Sequence, residues 1–208
     1  MKNNNLIKGF LFVGALALGV SCTNLDEQIL DGYSNDASGT GAVNTAATLQ
    51  SAYNGLRDFQ NQGGVFALGE MSTDAMVGPT RGGDWDDNAV WRQIHVHTWA
   101  PDHGEVKGSW NTLLSNVYNC NLVIENSTNA SEVLQARFLR AYYYYNVIDL
   151  FGQVPYREAG SKVEDDPKVW SRADATGFVI SELEAIAPSM PAGSDASIAN
   201  KNAVHFLL

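Results

Sequence analysis

The chain has 208 residues, enough for one domain with a sizeable core, and 45% of them are hydrophobic, as in globular proteins. Its formal net charge at pH 7 is −10, from 13 Lys and Arg against 23 Asp and Glu. Nucleic-acid binding needs a basic surface, and electrostatic attachment to anionic lipid needs positive charge, so this balance argues against both.

The N-terminus has the layout of an export signal. Lys2 and Lys8 give a positive start, and an apolar run follows over residues 9–20. This run is too short to cross a bilayer as a helix, whereas its length is typical of the apolar part of a signal peptide. We therefore predict a signal peptide over residues 1–21, with a buried N-terminal helix as the alternative.

Cys22 indicates which kind of signal this is. A cysteine after small residues, at the end of an apolar run, resembles a bacterial lipobox, whose cysteine is lipidated and becomes the first mature residue. Val20 and Ser21 fit this pattern, although Gly19 stands where a larger aliphatic residue is usual. Cys22 is the predicted lipidation site, and cleavage by the ordinary signal peptidase is the alternative.

The next segment, residues 22–40, is rich in Asn, Asp, Ser and Gly, which is typical of a flexible tether. We expect the folded domain to occupy residues 41–208. Its one cysteine, Cys120, cannot form an intrachain disulfide alone and is predicted to lie in the core as a small apolar residue.

The first predicted helix runs over residues 43–58, where apolar side chains recur at helical spacing. Gly63 and Gly64 then break the pattern. Residues 65–107 show no sustained period and predict a long irregular loop region. Alternation over residues 94–99 predicts a short extended segment within it.

A second helix is predicted from Ser109, a residue type suited to an N-cap. Its apolar face consists of Trp110, Leu113, Leu114, Val117, Cys120 and Ile124. The third helix, predicted over 131–151, is apolar on two sides, which indicates that it is sandwiched between neighbours. Gly152 and Pro155 mark its end.

Ser171 and Asp174 suit the start of a fourth helix, which Pro188 and Pro191 close. A last helix begins near Ala199 and is still apolar at Leu208, so we expect further helices beyond this residue. The predicted fold is all-α, with tetratricopeptide-like antiparallel helix pairs, a long irregular loop region and a truncated end.

Four of the five tryptophans lie between residues 85 and 110, among Arg, Asp and Asn side chains. A pyranose packs its C–H face on an aromatic ring, and its hydroxyls need directed donors and acceptors. The predicted ligand-binding residues are Arg81, Asp84, Trp85, Asn88 and Trp91. The alternative is that the tryptophans only pin the loop to the helices, which we expect for Trp99 and Trp110.

Metal binding is a weaker interpretation of the same region. Asp84, Asp86 and Asn88 resemble the start of a calcium loop, but the chain has Ala89 and His95 where an EF-hand needs Gly and an acid. An irregular calcium site stays open. A transition-metal site could use His95, His97 and His103, but no Cys or acid stands at ligand spacing, so no metal or cofactor is predicted.

No recognisable catalytic motif is present. The sequence contains no nucleophile elbow, P-loop, dinucleotide fingerprint or Cys–His signature, and no pair of acids in a recognisable glycosidase arrangement. We expect a protein that is not an enzyme.

The strongest family signal lies in the third helix. Residues 136–145, Ala-Arg-Phe-Leu-Arg-Ala-Tyr-Tyr-Tyr-Tyr, and residues 149–155, Asp-Leu-Phe-Gly-Gln-Val-Pro, closely resemble the hallmark of the RagB/SusD family. The segments 73–99, 110–121, 171–191 and 198–208 are similar to other parts of that family. Its members are considerably longer, so the chain resembles their N-terminal part.

The resemblance implies a mostly helical fold with tetratricopeptide-like repeats and a lipid anchor in the outer membrane, facing outward. It also implies capture of oligosaccharides or other nutrients and their delivery to a SusC-like TonB-dependent transporter, with part of the ligand surface formed beyond residue 208. No nucleic-acid partner is expected. The alternative function is a helical scaffold lipoprotein whose only partner is protein.

Overall fold

The structure is a computed structural model that describes residues 42–79, 81–162, 164–193 and 195–208. The predicted signal peptide, Cys22 and the tether lie outside the described residues. Residues Val43–Leu208 form one structural unit.

The first predicted helix is confirmed. It consists of an α-helix, α1 (Thr45–Gly55), continued by a 3-10 turn (Leu56–Gln60). The Asn44 side chain accepts a hydrogen bond of 3.0 Å from the amide of Ala47, which satisfies one of the free donors at the helix start.

The segment between α1 and the next long helix is less irregular than predicted. It contains two short helices, α2 (Gly64–Glu70) and α3 (Val90–His95), and a 3-10 turn (Asp87–Ala89) leads into α3. Buried side chains of this segment form a cluster that we call the satellite core: Ala67, Met71, Trp91 and Ile94.

The extended segment expected over 94–99 is not found, and this prediction is wrong. The amides of Val96, His97 and Thr98 donate back to carbonyls of residues 92–94, so the chain continues α3 as a tight turn. These bonds satisfy backbone groups that a single strand without a neighbour would leave unpaired.

Two long helices, α4 (Gly104–Asn126) and α5 (Ala130–Phe151), form the centre of the fold. Three residues separate them, so they pack side by side in opposite directions. The predicted start at Ser109 is wrong, because α4 begins a full turn earlier and Ser109 is buried inside it. Gly152, with φ of 78°, ends α5 in a conformation that favours glycine.

The helix α5 is buried on two sides, as predicted, because it contacts both α4 and the later helix α6 (Arg172–Ile186). Cys120 of α4 is fully buried in this core, which confirms its predicted place. Its neighbours in the cluster include Leu113, Val117, Leu139, Tyr143 and Val147.

A small hairpin that the sequence did not predict follows α5. Its strands β1 (Val154–Tyr156) and β2 (Lys168–Trp170) pair antiparallel. The rings of Tyr156 and Trp170 stack with centroids 3.7 Å apart, which fastens the two strands over the core.

The fourth and last predicted helices are confirmed as α6 and α7 (Lys201–Leu207). The Ser171 hydroxyl accepts a hydrogen bond of 3.2 Å from the amide of Asp174, and the Asn200 side chain caps α7 in the same way. In the described part of the chain, no helix has the length and apolar character to span a membrane.

A buried Arg–Glu cluster joins α4, α5 and α6. Arg137 donates two hydrogen bonds of 2.9 Å to the Glu182 carboxylate, and Arg140 donates a third of 2.6 Å. Arg140 also donates to the side chain of Asn121 at 2.9 Å. Burial alone would raise the pKa of Glu182, but the two guanidinium groups lower it below its ordinary value.

Candidate functional site

The predicted ligand residues begin at a tight backbone turn. Arg81 and Asp84 exchange backbone hydrogen bonds of 3.0 and 3.1 Å around Gly82 and Gly83. Gly82 has φ of +63°, a conformation that residues with a side chain rarely adopt. The turn leaves the side chains of Arg81 and Asp84 exposed to solvent.

The backbone after this turn is left-handed at four residues that are not glycine. The φ angles are 59° at Trp85, 40° at Asp87, 55° at Asn88 and 66° at Ala89. Each such residue costs about 1–2 kcal/mol relative to ordinary backbone. Contacts elsewhere in the loop must therefore hold this conformation, and backbone of this kind is common at binding sites.

Trp91 supplies the main contact. Its indole is 6% exposed within the satellite core, and its Nε1–H donates a hydrogen bond of 2.7 Å to Asp87. The backbone of Gly78 packs directly on it, since a Cβ at that position would lie 2.6 Å from the Cβ of Trp91. Trp91 thereby anchors the loop to the satellite core.

Trp85 is presented on top of this anchor. Its ring contacts that of Trp91 with centroids 5.8 Å apart and planes at 50°, and 40% of the residue remains exposed. A salt bridge of 2.7 Å between Asp86 and Arg92 lies beside it, although such exposed pairs contribute little stability. Asn88 is exposed on the same loop.

The five predicted ligand residues thus have two different positions. Four of them, Arg81, Asp84, Trp85 and Asn88, are exposed on one loop, and Trp91 lies beneath as their support. The loop carries an exposed indole together with an exposed guanidinium, carboxylate and amide, and so offers a flat apolar face and directed hydrogen-bonding groups. This combination suits a sugar ring.

The other two tryptophans of this region differ from each other. Trp110 packs edge-on against Phe151 with centroids 5.0 Å apart, as expected. Trp99, which was also expected to pack, is 41% exposed. Its neighbours in the sequence, Thr98 and Ala100, are exposed as well.

The histidines of the region make separate contacts. His97 Nε2 bonds to the carbonyl of Ser72 at 2.6 Å, and His103 Nε2 bonds to the carbonyl of Val90 at 3.2 Å. Among the described residues, no group of three or more His, Cys, Asp or Glu side chains is placed to hold a metal ion.

The chain matches a SusD-like family described as starch-binding and associating with the outer membrane, over residues 29–179. This match covers well over half of the chain, and the chain belongs to this family. The predicted RagB/SusD membership is therefore confirmed. Among curated proteins, none matches the chain.

Solved structures of the same kind share the fold. Surface glycan-binding protein A from Bacteroides uniformis has a TM-score of 0.64 and 19% identity over 78% of this chain and 40% of its own. A laminarin binding SusD-like protein has a TM-score of 0.63 and 18% identity over 77% of this chain and 37% of its own.

A SusD-like carbohydrate binding protein from Bacteroides fragilis has a TM-score of 0.61 and 22% identity over 78% of this chain and 35% of its own. The predicted mostly helical, tetratricopeptide-like fold is thus confirmed. The chain spans between 35% and 40% of the length of these three structures.

Proposed function

We propose that the chain is a cell-surface lipoprotein that binds oligosaccharides and delivers them to a SusC-like TonB-dependent transporter of the outer membrane. The observation that carries the proposal is the exposed Trp85 ring, held by the buried Trp91 among exposed polar side chains. The family description, starch-binding and associating with the outer membrane, supports the same role.

The proposed binding mode follows from the loop geometry. A pyranose lays its C–H face on Trp85, and its hydroxyls bond to the Arg81 guanidinium, the Asp84 carboxylate and the Asn88 amide. The left-handed backbone is already held by Trp91 in the free chain. Less conformational entropy is therefore lost on binding than in a flexible loop.

The first ligands to test are glucans. The family is described as starch-binding, and one structural neighbour is named for laminarin. Maltoheptaose and laminarihexaose represent the two polymers, and both are neutral, so the acidic chain does not repel them.

Calorimetric titration of Trp85→Ala with these glucans tests the site. We expect the binding free energy to weaken by about 1–3 kcal/mol, the range for losing an aromatic contact at a binding site. Tyr118→Ala is the matched control, because Tyr118 is 47% exposed on α4 and belongs to no part of the loop. A folded Trp85→Ala chain with the affinity of the wild type would mean that this loop is not the site.

The predicted lipid anchor at Cys22 is tested separately. Cys22→Ala removes the predicted lipidated residue, and we expect the chain to leave the membrane fraction for the soluble fraction. Retention of this variant in the membrane after a high-salt wash would rule out a lipid anchor at Cys22. For the wild type, cleavage by external protease on intact cells would support the proposed orientation toward the exterior.

The alternative function, a scaffold whose only partner is protein, has an observation of its own. Phe206 is 93% exposed at a groove of about 500 Å³ that Phe138, Tyr142 and Ile198 also line. A chain that binds no glucan but co-purifies with the transporter would favour this alternative.

A further inference from the structure

A cavity lies apart from the loop of Trp85. It has a volume of about 360 Å³ and is lined by residues of α2, α3, α4 and the last turn of α5. Its apolar lining includes Leu68, Ile94, Val106 and Phe151, and the exposed lining residues include Trp99 and Asp149. The volume falls in the range of small-molecule sites.

Trp99 is fixed at this cavity although 41% of it is exposed. The His97 ring lies edge-on to the indole with centroids 5.2 Å apart and planes at 67°. His97 is itself held by the bond of its Nε2 to the Ser72 carbonyl, at 2.6 Å. A carbonyl only accepts, so this nitrogen carries the proton and the ring orientation is set.

The cavity has one charged group among the described residues that line it, the exposed carboxylate of Asp149. A carboxylate accepts hydrogen bonds from sugar hydroxyls and repels other carboxylates. Gly69 also lines the cavity, and a Cβ there would meet nothing within 4 Å, so no side chain fills the cavity at that point.

We infer that this cavity binds one ring of a neutral sugar, with the C–H face on the Trp99 indole and a hydroxyl bonded to Asp149. The inference rests on the proposed function only for the class of ligand, since none of its residues belongs to the loop of Trp85. Both places are supported by α3, the loop through Trp91 and the cavity through Ile94. A glucan with many identical units would gain avidity from two such contacts.

Fluorine NMR of the chain labelled with fluorotryptophan distinguishes sugar binding at the loop of Trp85 from sugar binding in the cavity of Trp99. The chain has five tryptophans, and Trp→Phe variants assign their signals. On titration with maltose we expect a saturable shift of the Trp99 signal. Methyl glucuronide, an acidic sugar, is expected to leave that signal unchanged because its carboxylate faces Asp149.

Asp149→Asn is the decisive variant. We expect it to weaken the maltose response of Trp99 about tenfold, because the amide oxygen of Asn accepts a weaker hydrogen bond than a carboxylate oxygen, and to leave the Trp85 response intact. Glu184→Gln removes an exposed carboxylate of α6 and serves as the control. Thermal melting checks that both variants fold like the wild type.

Each possible result either supports or overturns the inferred sugar site in the cavity. A Trp85 response without a Trp99 response overturns the cavity and leaves the proposed function standing. If maltose shifts the Trp99 signal, Asp149→Asn weakens that shift and the Trp85 signal does not move, the result supports sugar binding in the cavity and counts against sugar binding at the loop of Trp85. A Trp99 response that is equal in Asp149→Asn, or that methyl glucuronide also produces, overturns the inferred recognition. If neither signal shifts at millimolar maltose, the inference that the cavity binds a neutral sugar is also overturned.

Discussion

Two regions of the molecule differ in how much apolar surface they bury and in how regular their backbone is. One is the segment over residues 64–103, and the other consists of the helices α4, α5 and α6. The helices bury long apolar faces and enclose the Arg–Glu cluster, with regular backbone throughout. The segment has a satellite core of four apolar residues. Every described residue with left-handed φ that is not glycine lies in it: Trp85, Asp87, Asn88, Ala89 and His97.

Under the proposed function, this difference assigns stability to the long helices and ligand binding to the segment. Irregular backbone cannot bury its own polar groups well, so it lies at the surface and depends on a rigid support. The two exposed tryptophans, Trp85 and Trp99, both lie in the segment. Changes there are expected to alter binding, whereas changes in the long helices are expected to alter folding. The following variants test that division.

The largest effect is expected from Glu182→Gln. This change leaves Arg137 and the buried Arg140 without their shared negative partner. Breaking a buried ion pair on one side lowers the free energy of unfolding by about 3–5 kcal/mol. Urea unfolding measures it, with the exposed Glu184→Gln two residues later as the control. A loss below about 1 kcal/mol, as for surface pairs, would mean that the cluster adds little to the core.

The same carboxylate predicts a pH dependence. The arginines hold the pKa of Glu182 below its ordinary value of 4.5, so its contribution is full above that value. It is lost as the pH falls through the lowered pKa of the folded state. The stability difference between wild type and Glu182→Gln should therefore shrink as unfolding is measured at increasingly acidic pH. A difference that is constant with pH would contradict the ionised pairing.

Trp91→Ala is expected to act locally. Removing a buried tryptophan costs up to about 3–5 kcal/mol, but here the loss falls on the satellite core. Hydrogen exchange should accelerate over residues 64–95 and stay slow in α4 and α5, with glucan binding lost. Trp85→Ala, which removes an exposed ring, should leave exchange unchanged. If Trp91→Ala lowers global stability as much as Glu182→Gln, the two regions form one cooperative unit.

The smallest effect is expected from Ala89→Gly. Ala89 has φ of 66°, where glycine is not strained, so the change should stabilise the loop by up to about 1 kcal/mol. The same substitution at Ala185, an exposed position of α6, should destabilise by up to about 1 kcal/mol. Hydrogen exchange of the loop measures the effect of Ala89→Gly, and thermal unfolding measures the effect of the substitution at Ala185. If both substitutions destabilised the chain, the left-handed backbone at Ala89 would not be strained.

The long helices could be predicted because their signals agree. In α6 the cap at Ser171, the apolar spacing and the closing prolines indicate the same bounds. At α4 one signal was misleading. Ser109 has the chemistry of a cap, but the helix extends to Gly104 and packs Glu105 against Gly63 of the preceding segment. Tertiary contact of this kind is invisible in local propensity.

Short elements were missed for a related reason. The helices α2 and α3 span fewer than two full turns each, so no apolar period can repeat within them. Each strand of the hairpin has three residues, too few for a pattern, and the ring stack of Tyr156 on Trp170 joins residues that are far apart in the sequence. In the candidate site, residue types indicated the loop, but the division between exposed Trp85 and buried Trp91 required the fold.

The buried Cys120 has a consequence for following the folded state of this protein in cells. Burial raises the pKa of its thiol to about 12, so at neutral pH almost no thiolate is present to react. Of the two cysteines in these 208 residues, lipidation of Cys22 would leave Cys120 as the free thiol. An alkylating reagent could then modify Cys120 only when α4 separates from α5. The rate of that modification in intact cells would measure how often the helices part under the conditions in which the protein works.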